Sequence, residues 1–431
     1  MGVFKYSPVD FLFTCVGLVF LLLDIGLDIW AAVSFFQEKA YVSLAVLMLF
    51  LVGSSVLVQA FSWLWYSYDD SDKLTKVEKC LSVGQLKLLH VLQLGIYIRH
   101  AGVVELSVCS IFSGLADISG DYAVYLNHDL SMLRLVETFS ESSPQLVLML
   151  TIILQRGELD PVTVLKAIGS ASAIAFSVTT YHRSLRNFLP EKKQQPMTSS
   201  VVYFLWNLCL LSSRITALAL FASVLPCFIF THFICSWIVL FFFVWRSKTD
   251  FMDTPCGERL YRATVGLIWY FNWFNVIKGK TRFRTLLYHG YMLLDIVFLC
   301  SWWCWSKMTT QAPYFETVHY AIVTVVVVVG VYMLGLLLKM IYYKRYHPNH
   351  SKEELKGDAS EKTRVGMGPT RKHEDVHGDE PDGVTFRTMA LNIEPDIEAD
   401  LVTDSNEPSQ PPPEVKRCNK RMRKLAENFY C

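Results

Sequence analysis

Arg134, Glu137 and Glu141 are spaced three and four residues apart, inside a stretch from residue 130 to 155 whose second half is apolar enough for a lipid bilayer. That spacing puts a cation and two carboxylates on one helix face. They have company in other apolar runs. Asp10 opens the first run, Asp24 and Asp28 stand one turn apart within it, Arg214 and Asp295 lie in later runs, and Arg183 sits near the end of another. A charge at the bilayer centre costs at least about 2.5–3.5 kcal/mol on insertion scales, so such groups pair or line a polar path. Simple pairing is one reading: Asp24 or Asp28 with Arg214, or Glu137 with Arg134. A path for protons or cations would favour acids alone. A ladder of both signs suits a zwitterionic or anionic headgroup, whose phosphate and amine each need a transient partner. Pro144 removes a helical hydrogen bond just after Glu141 and predicts a kink beside the carboxylates.

The elements that position these charges are membrane helices. Of 431 residues, 52% are hydrophobic and 18% charged, against about 25% charged in soluble domains. Apolar runs fall at 9–36, 41–67, 86–112, 127–156, 160–183, 200–222, 225–247, 261–277, 285–306 and 317–345. A span needs about 20 residues. The run 86–112 holds His90, Arg99 and Glu105, and 261–277 is short and flanked by cations; both are expected to be half-spanning or re-entrant. The expected fold is an all-α polytopic membrane protein with about eight transmembrane helices and two half-spanning segments. The first apolar run is too long and too acidic for a cleaved signal peptide. Lys73, Lys76, Lys79 and Lys87 mark one basic loop; Arg183, Arg186, Lys192 and Lys193 a second; Lys278, Lys280, Arg282 and Arg284 a third. Positive loops stay cytosolic, which puts both termini in the cytosol. Element order repeats between 9–183 and 200–345, as two parallel pseudo-repeats within a body spanning 1–348. The cysteines show no metal or disulfide spacing, and Cys300 and Cys304 share one helix turn. No metal, cofactor or catalytic residue is expected, and no nucleic-acid partner.

Beyond the body, residues 374–414 carry twelve acids against one base, Arg387, and include the run Pro411-Pro412-Pro413. The segment 349–414 therefore reads as a disordered acidic linker. The sign then reverses: six bases fall between Lys416 and Lys424, and Met422, Leu425, Ala426 and Phe429 share one helical face. Residues 415–431 thus form a basic amphipathic helix on a disordered tether. The Asn349-His350-Ser351 sequon falls on the cytosolic side and should go unused.

Several stretches resemble the XK-related family: "DLSMLRLVETFSESSPQL" around the first charges, "FLLLDIGLDIWAAV" (20–33), "FSWLWY" (61–66), "SVVYFLWNLCLLSSRITALALF" (200–221), "TDFM" (249–252), "ERLYRATVGLIWYFNWFNVIKGKTR" (258–282) and "YYKRYHP" (342–348). The resemblance covers most of 9–348. It implies eight spans with two half-spans. It also implies an ATP-independent phospholipid scramblase of the plasma membrane, activated by an effector caspase and exposing phosphatidylserine in apoptosis. The implied partner is a single-span immunoglobulin-superfamily protein, basigin or neuroplastin. Asp10, Asp24, Asp28, Glu137, Glu141, Arg183, Arg214 and Asp295 match charged positions of the family relative. Thr180 departs from it, standing where the relative has an acid. Effector caspases cut after Asp and favour Asp three residues earlier. "DEPDG" supplies Asp379, Glu380, Pro381, the cut residue Asp382 and Gly383, in the linker where a protease can reach. Asp396 and Asp400 end weaker motifs. The resulting expectation is autoinhibition: the C-terminal helix docks on the cytosolic side of the body, and cleavage releases it by abolishing its effective concentration. A helix that merely binds anionic inner-leaflet lipid is the bland alternative. Solute transport and a non-catalytic adaptor role are the competing functions. An intramembrane hydrolase is disfavoured, since Ser140, Ser142 and Ser143 have no evident His or Lys base.

Overall fold

The computed structural model describes residues 7–68, 75–112, 116–157, 161–187, 195–247, 249–276, 282–310 and 315–346. The linker with Asp379–Gly383, the sequon and the helix of Met422, Leu425, Ala426 and Phe429 lie outside the described residues. So does the cationic loop segment at 278–280. All regular structure among the described residues is helical.

The first helix, α1 (Pro8–Gln37), starts at a capping box that hydropathy does not see. Val9 N donates to the Ser7 hydroxyl at 3.3 Å, and Ser7 N donates to Asp10 Oδ2 at 3.1 Å. Pro8 sits at the first position, where its missing N–H costs nothing. This helix is amphipathic in reverse. Its buried residues are Asp10, Leu21 and Asp28, while Leu22, Ile29 and Trp30 point outward. A helix that hides acids and shows leucines faces lipid on its outer side.

Next come α2 (Tyr41–Tyr68), the single turn α3 (Lys76–Lys79), α4 (Val83–Val91) and α5 (Gly95–Phe112). The run expected at 86–112 is broken: α4 and α5 meet at 119°. Gln93 adopts a left-handed conformation at the break (φ 64°), and its Oε1 accepts from the Ser55 hydroxyl of α2 at 2.7 Å. Glycine is required at position 95, where a Cβ would sit 2.5 Å from the His90 ring. The pair is a broken span or a re-entrant hairpin.

Helix α6 (Ala116–Glu137) passes through a π-turn (Thr138–Ser142) into α7 (Ser143–Arg156), so this element begins well before the expected residue 127. Apolarity defined the expected start, and the preceding turns are polar but helical. The disturbance beside Pro144 is also different in kind. Ser143 N donates to Thr138 O, five residues back, so the backbone widens into a π-turn just ahead of the proline. Gly157, at φ 72°, ends α7.

The second half comprises α8 (Pro161–Asn187), α9 (Met197–Val224), α10 (Phe228–Arg246), α11 (Pro255–Phe271), α12 (Arg282–Thr310) and α13 (Phe315–Ile341), with a second π-turn at Tyr342–Tyr346. Helix α9 is central: it packs on α7, α8, α12 and α13 and buries Trp206, Leu210, Leu211, Arg214 and Leu218. Gly335 lets α13 approach it, since a Cβ there would lie 2.8 Å from Leu210. The expected segment 261–277 is shifted. Helix α11 starts at Pro255 behind the cap Thr254, whose hydroxyl accepts from Gly257 N, and stops at Asn272. Its 17 residues make about 25 Å of helix, short of a full bilayer core. Among the described residues, seven helices are long and apolar enough to cross a membrane, or up to eight if α4 and α5 form one span. The α6–α7 element carries too many charges to be recognised by apolarity.

Candidate polar cluster within the helical bundle

The nine expected charges are distributed by their contacts into three groups. Two are closed pairs. Asp10 Oδ1 accepts from Arg183 Nη2 at 3.0 Å and from Nε at 3.3 Å, joining α1 to the end of α8. Arg183 also donates to Gln195 O and the Ser200 hydroxyl, and Asp10 still serves the α1 cap. Arg214 Nη1 donates to Asp295 Oδ2 at 2.5 Å, and its Nε to Tyr270 O at 3.1 Å. Asp295 Oδ1 meets His232 Nε2 at 3.1 Å, and His232 Nδ1 meets Tyr270 Oη at 3.0 Å. Arg214 is therefore not the partner of Asp24 or Asp28. Its acid lies in α12, a choice fixed by helix packing.

The third group is larger and more open. Arg134 Nη1 donates to Glu137 Oε2 at 2.6 Å, as the three-residue spacing foretells, and Nη2 lies 3.8 Å from Asp24 Oδ2. Arg134, Asp24 and Glu137 keep 15%, 25% and 20% of their side-chain surface exposed. Around them, Ser142 Oγ donates to Asp24 Oδ2 at 3.4 Å, and Gln145 Nε2 donates to Asp28 Oδ1 at 2.6 Å. Glu141 sits buried in the π-turn. The Ser140 and Ser54 hydroxyls touch at 2.8 Å, tying the π-turn to α2. The extra residue of the π-turn lets Glu141, Ser142 and Gln145 serve one polar patch, with α1 on the far side. Four carboxyls thus surround one guanidinium. The patch offers a donor fork to a phosphate and carboxylates to an ammonium.

Oxygens of Asp24, Glu137 and Glu141 lie within 4.8 Å of one another, a set that hard cations favour. The sequence reading assigned no metal here. Arg134 already occupies one of the Glu137 oxygens and supplies positive charge to the same place.

Sequence reasoning missed several polar partners. Arg99 of α5 donates to Asp129 of α6 at 3.4 Å and through Nε to the Ser62 hydroxyl at 2.8 Å, entirely buried. Both ions stand in plain view in apolar stretches, but nothing local pairs them. His232, Ser142 and Gln145 carry no sequence signal beyond their polarity. Thr180 lies in α8 outside all three groups. The nine described cysteines are free, with Cys300 buried and Cys304 partly so. Among the described residues, Ser140, Ser142 and Ser143 have carboxylate, hydroxyl and carbonyl neighbours but no histidine or lysine in hydrogen-bond contact.

Among the described residues, an all-helical bundle with apolar outer faces around a partly open polar patch of both signs has the form of a polytopic membrane protein. Residues 12–348 match the family described as XK-related protein, and the chain belongs to the XK-related family. It is 42% identical to XK-related protein 8 of Tetraodon nigroviridis over 353 residues, covering 80% of this chain and 85% of that protein. Identity to XK-related protein 8 of Gasterosteus aculeatus is 41%, with the same coverage. For XK-related protein 8 of Pan troglodytes it is 36%, covering 79% of this chain and 84% of that protein.

Proposed function

We propose that the chain is an ATP-independent phospholipid scramblase, activated by caspase cleavage after Asp382 and exposing phosphatidylserine on the plasma membrane during apoptosis. The observation that carries this reading is the partly exposed cluster of Asp24, Arg134 and Glu137. A headgroup crossing the bilayer needs polar contacts that are not fully committed elsewhere. Arg134 serves its phosphate, while Asp24 and Glu137 serve an amine. The acyl chains stay in lipid against the apolar outer face of α1. Glu141 and Asp28, held behind, set the field of the patch. Asp10–Arg183 and Arg214–Asp295 hold helices in register and take no headgroup. The C-terminal helix keeps the body inactive until the linker is cut. Both termini are cytosolic, and basigin or neuroplastin accompanies the chain to the surface.

The reading is tested in liposomes with labelled lipid in one leaflet. Protein lacking residues 383–431 should equilibrate the label without ATP, and Glu137→Gln in the same truncation should slow it severalfold. A truncation that leaves the label in place would defeat the reading. In cells, Asp382→Ala should abolish annexin staining under an apoptotic stimulus. A second reading, cation-coupled solute transport, draws on the three carboxylates within 4.8 Å. It calls for solute flux with no lipid exchange. An adaptor role predicts that Glu137→Gln changes neither flux nor lipid exchange.

A further inference from the structure

A cavity stands apart from the charge cluster. It measures about 180 Å³ and lies among α6, α8, α9, α11, α12 and α13, lined by Tyr203, Trp206, Asn207, Asn272, Trp273 and Lys339 among others. None of its lining residues is acidic. Lys339 Nζ donates to His289 Nε2 at 2.8 Å and lies 5.6 Å from the Trp206 ring centre. His289 Nδ1, left as the N–H, donates to Tyr332 Oη at 2.9 Å. Among the described residues no carboxylate comes within ion-pair distance of Lys339.

We infer that this cavity binds a phosphate group, with Lys339 as its cation. Among the described residues, this cation set among aromatic rings and a neutral imidazole meets no counter-charge, and buried charges are paired. An ammonium has three donors, and the imidazole takes one of them. A halide would leave most of the space unfilled, whereas a phosphate ester fills it and offers oxygens to several donors. The surroundings favour an anion too. The cavity lies at the end of the bundle where α8 and α13 finish and α9 and α12 begin. The described residues at those helix ends include Arg282, Arg284, Lys344 and Arg345. A surplus of one sign concentrates counter-ions at a cleft. Tyr342 and Tyr343 of the second π-turn are both lining residues, so an occupant would touch the last described turn before the tail.

The phosphate has two possible sources, a lipid headgroup or a soluble phosphate. The test uses full-length protein in detergent and reads the thermal midpoint by tryptophan fluorescence. The probes are inorganic phosphate and dihexanoyl-phosphatidylserine, with chloride at equal ionic strength as the control. Either probe should raise the wild-type midpoint above the chloride value. A response to inorganic phosphate marks a soluble-phosphate site; a response to the lipid alone marks a headgroup site. Lys339→Gln should weaken the responding probe about tenfold or more, as expected for loss of a charge-assisted hydrogen bond, and Lys339→Arg should retain it. Thr285→Phe, which fills the cavity from its wall, should abolish it without altering the cation. Each variant is compared with its own ligand-free midpoint, so altered stability alone does not count. No shift in the wild type, or an equal shift in Lys339→Gln, overturns the inference. Binding is read here without lipid translocation, so its failure leaves the proposed scrambling untouched, and the converse holds.

Discussion

Arg134 and Arg214 are both arginines in the middle of the bundle with acids for neighbours, yet their surroundings differ. Around Arg214 the donors and acceptors interlock: Asp295 takes the guanidinium and His232, His232 takes Tyr270, and the Tyr270 carbonyl takes Nε. Four helices, α9, α10, α11 and α12, each contribute one member. Around Arg134 there are four carboxyls for one cation, two of them, Asp24 and Glu137, are partly exposed, and the longest contact stretches to 3.8 Å. Arg214 Nη2 has no hydrogen-bond partner among the described residues, but its charge is matched by one carboxylate and so clamps helix positions, whereas the Arg134 cluster holds surplus acid. The same residue types therefore form a matched pair around Arg214 and a partly exposed cluster with surplus acid around Arg134. The difference lies in whether every charge is already answered.

The comparison breaks most visibly at the clamp. Arg214→Met strands a buried carboxylate and should cost about 3–5 kcal/mol, seen as a lower thermal midpoint or loss of folded protein. Adding Asp295→Leu should recover much of that loss, because a buried pair replaced by apolar groups is often nearly neutral. If the double variant is as unstable as the single, the clamp does more than balance charge. Gln145→Leu comes next. It removes the donor to buried Asp28 and should cost about 1–3 kcal/mol in the same assay. Glu137→Gln sharpens the contrast from the other side: stability should change by about 1 kcal/mol or less, while lipid exchange falls severalfold. An equal fall in both would make the open cluster a second clamp.

The smallest effect belongs to a surface pair outside the spans. Arg156, at the end of α7, donates to Glu38 at the end of α1. That hydrogen bond, aided by the guanidinium charge, holds the Glu38 carboxyl below its ordinary value of 4.5. The stabilisation is therefore complete above about pH 4.5 and fades as pH drops through the lowered value. Both side chains are well exposed, so Arg156→Gln should cost about 0.5 kcal/mol or less, and salt should mask it. Unfolding midpoints at pH 7 and pH 3, in low and high salt, check this.

Much of the fold was legible because lipid imposes a local rule: a span must be apolar for about 20 residues. That rule located α1, α2, α8, α9, α10, α12 and α13 closely. It failed where capping or polarity sets the boundary. Thr254-Pro255 starts α11 six residues before its apolar run, and α6 begins at Ala116 in polar sequence. The Arg134–Glu137 contact was legible because helix geometry brings residues three apart together. The Ser7–Asp10 capping box was equally local, though hydropathy passes over it.

The sequence by itself determined that apolar helices would span a membrane, which face of the α6–α7 element carries its charges, and that the first span carries acids. Those properties follow from composition and helical periodicity, which need no partner. Only the tertiary structure decided that Asp10 meets Arg183, that Arg214 meets Asp295, and that Asp24 joins Arg134. Each of these contacts crosses between helices far apart in sequence. The energy of an ion in a low dielectric depends on which opposite charge packing brings within a few ångströms, and no local pattern encodes that choice.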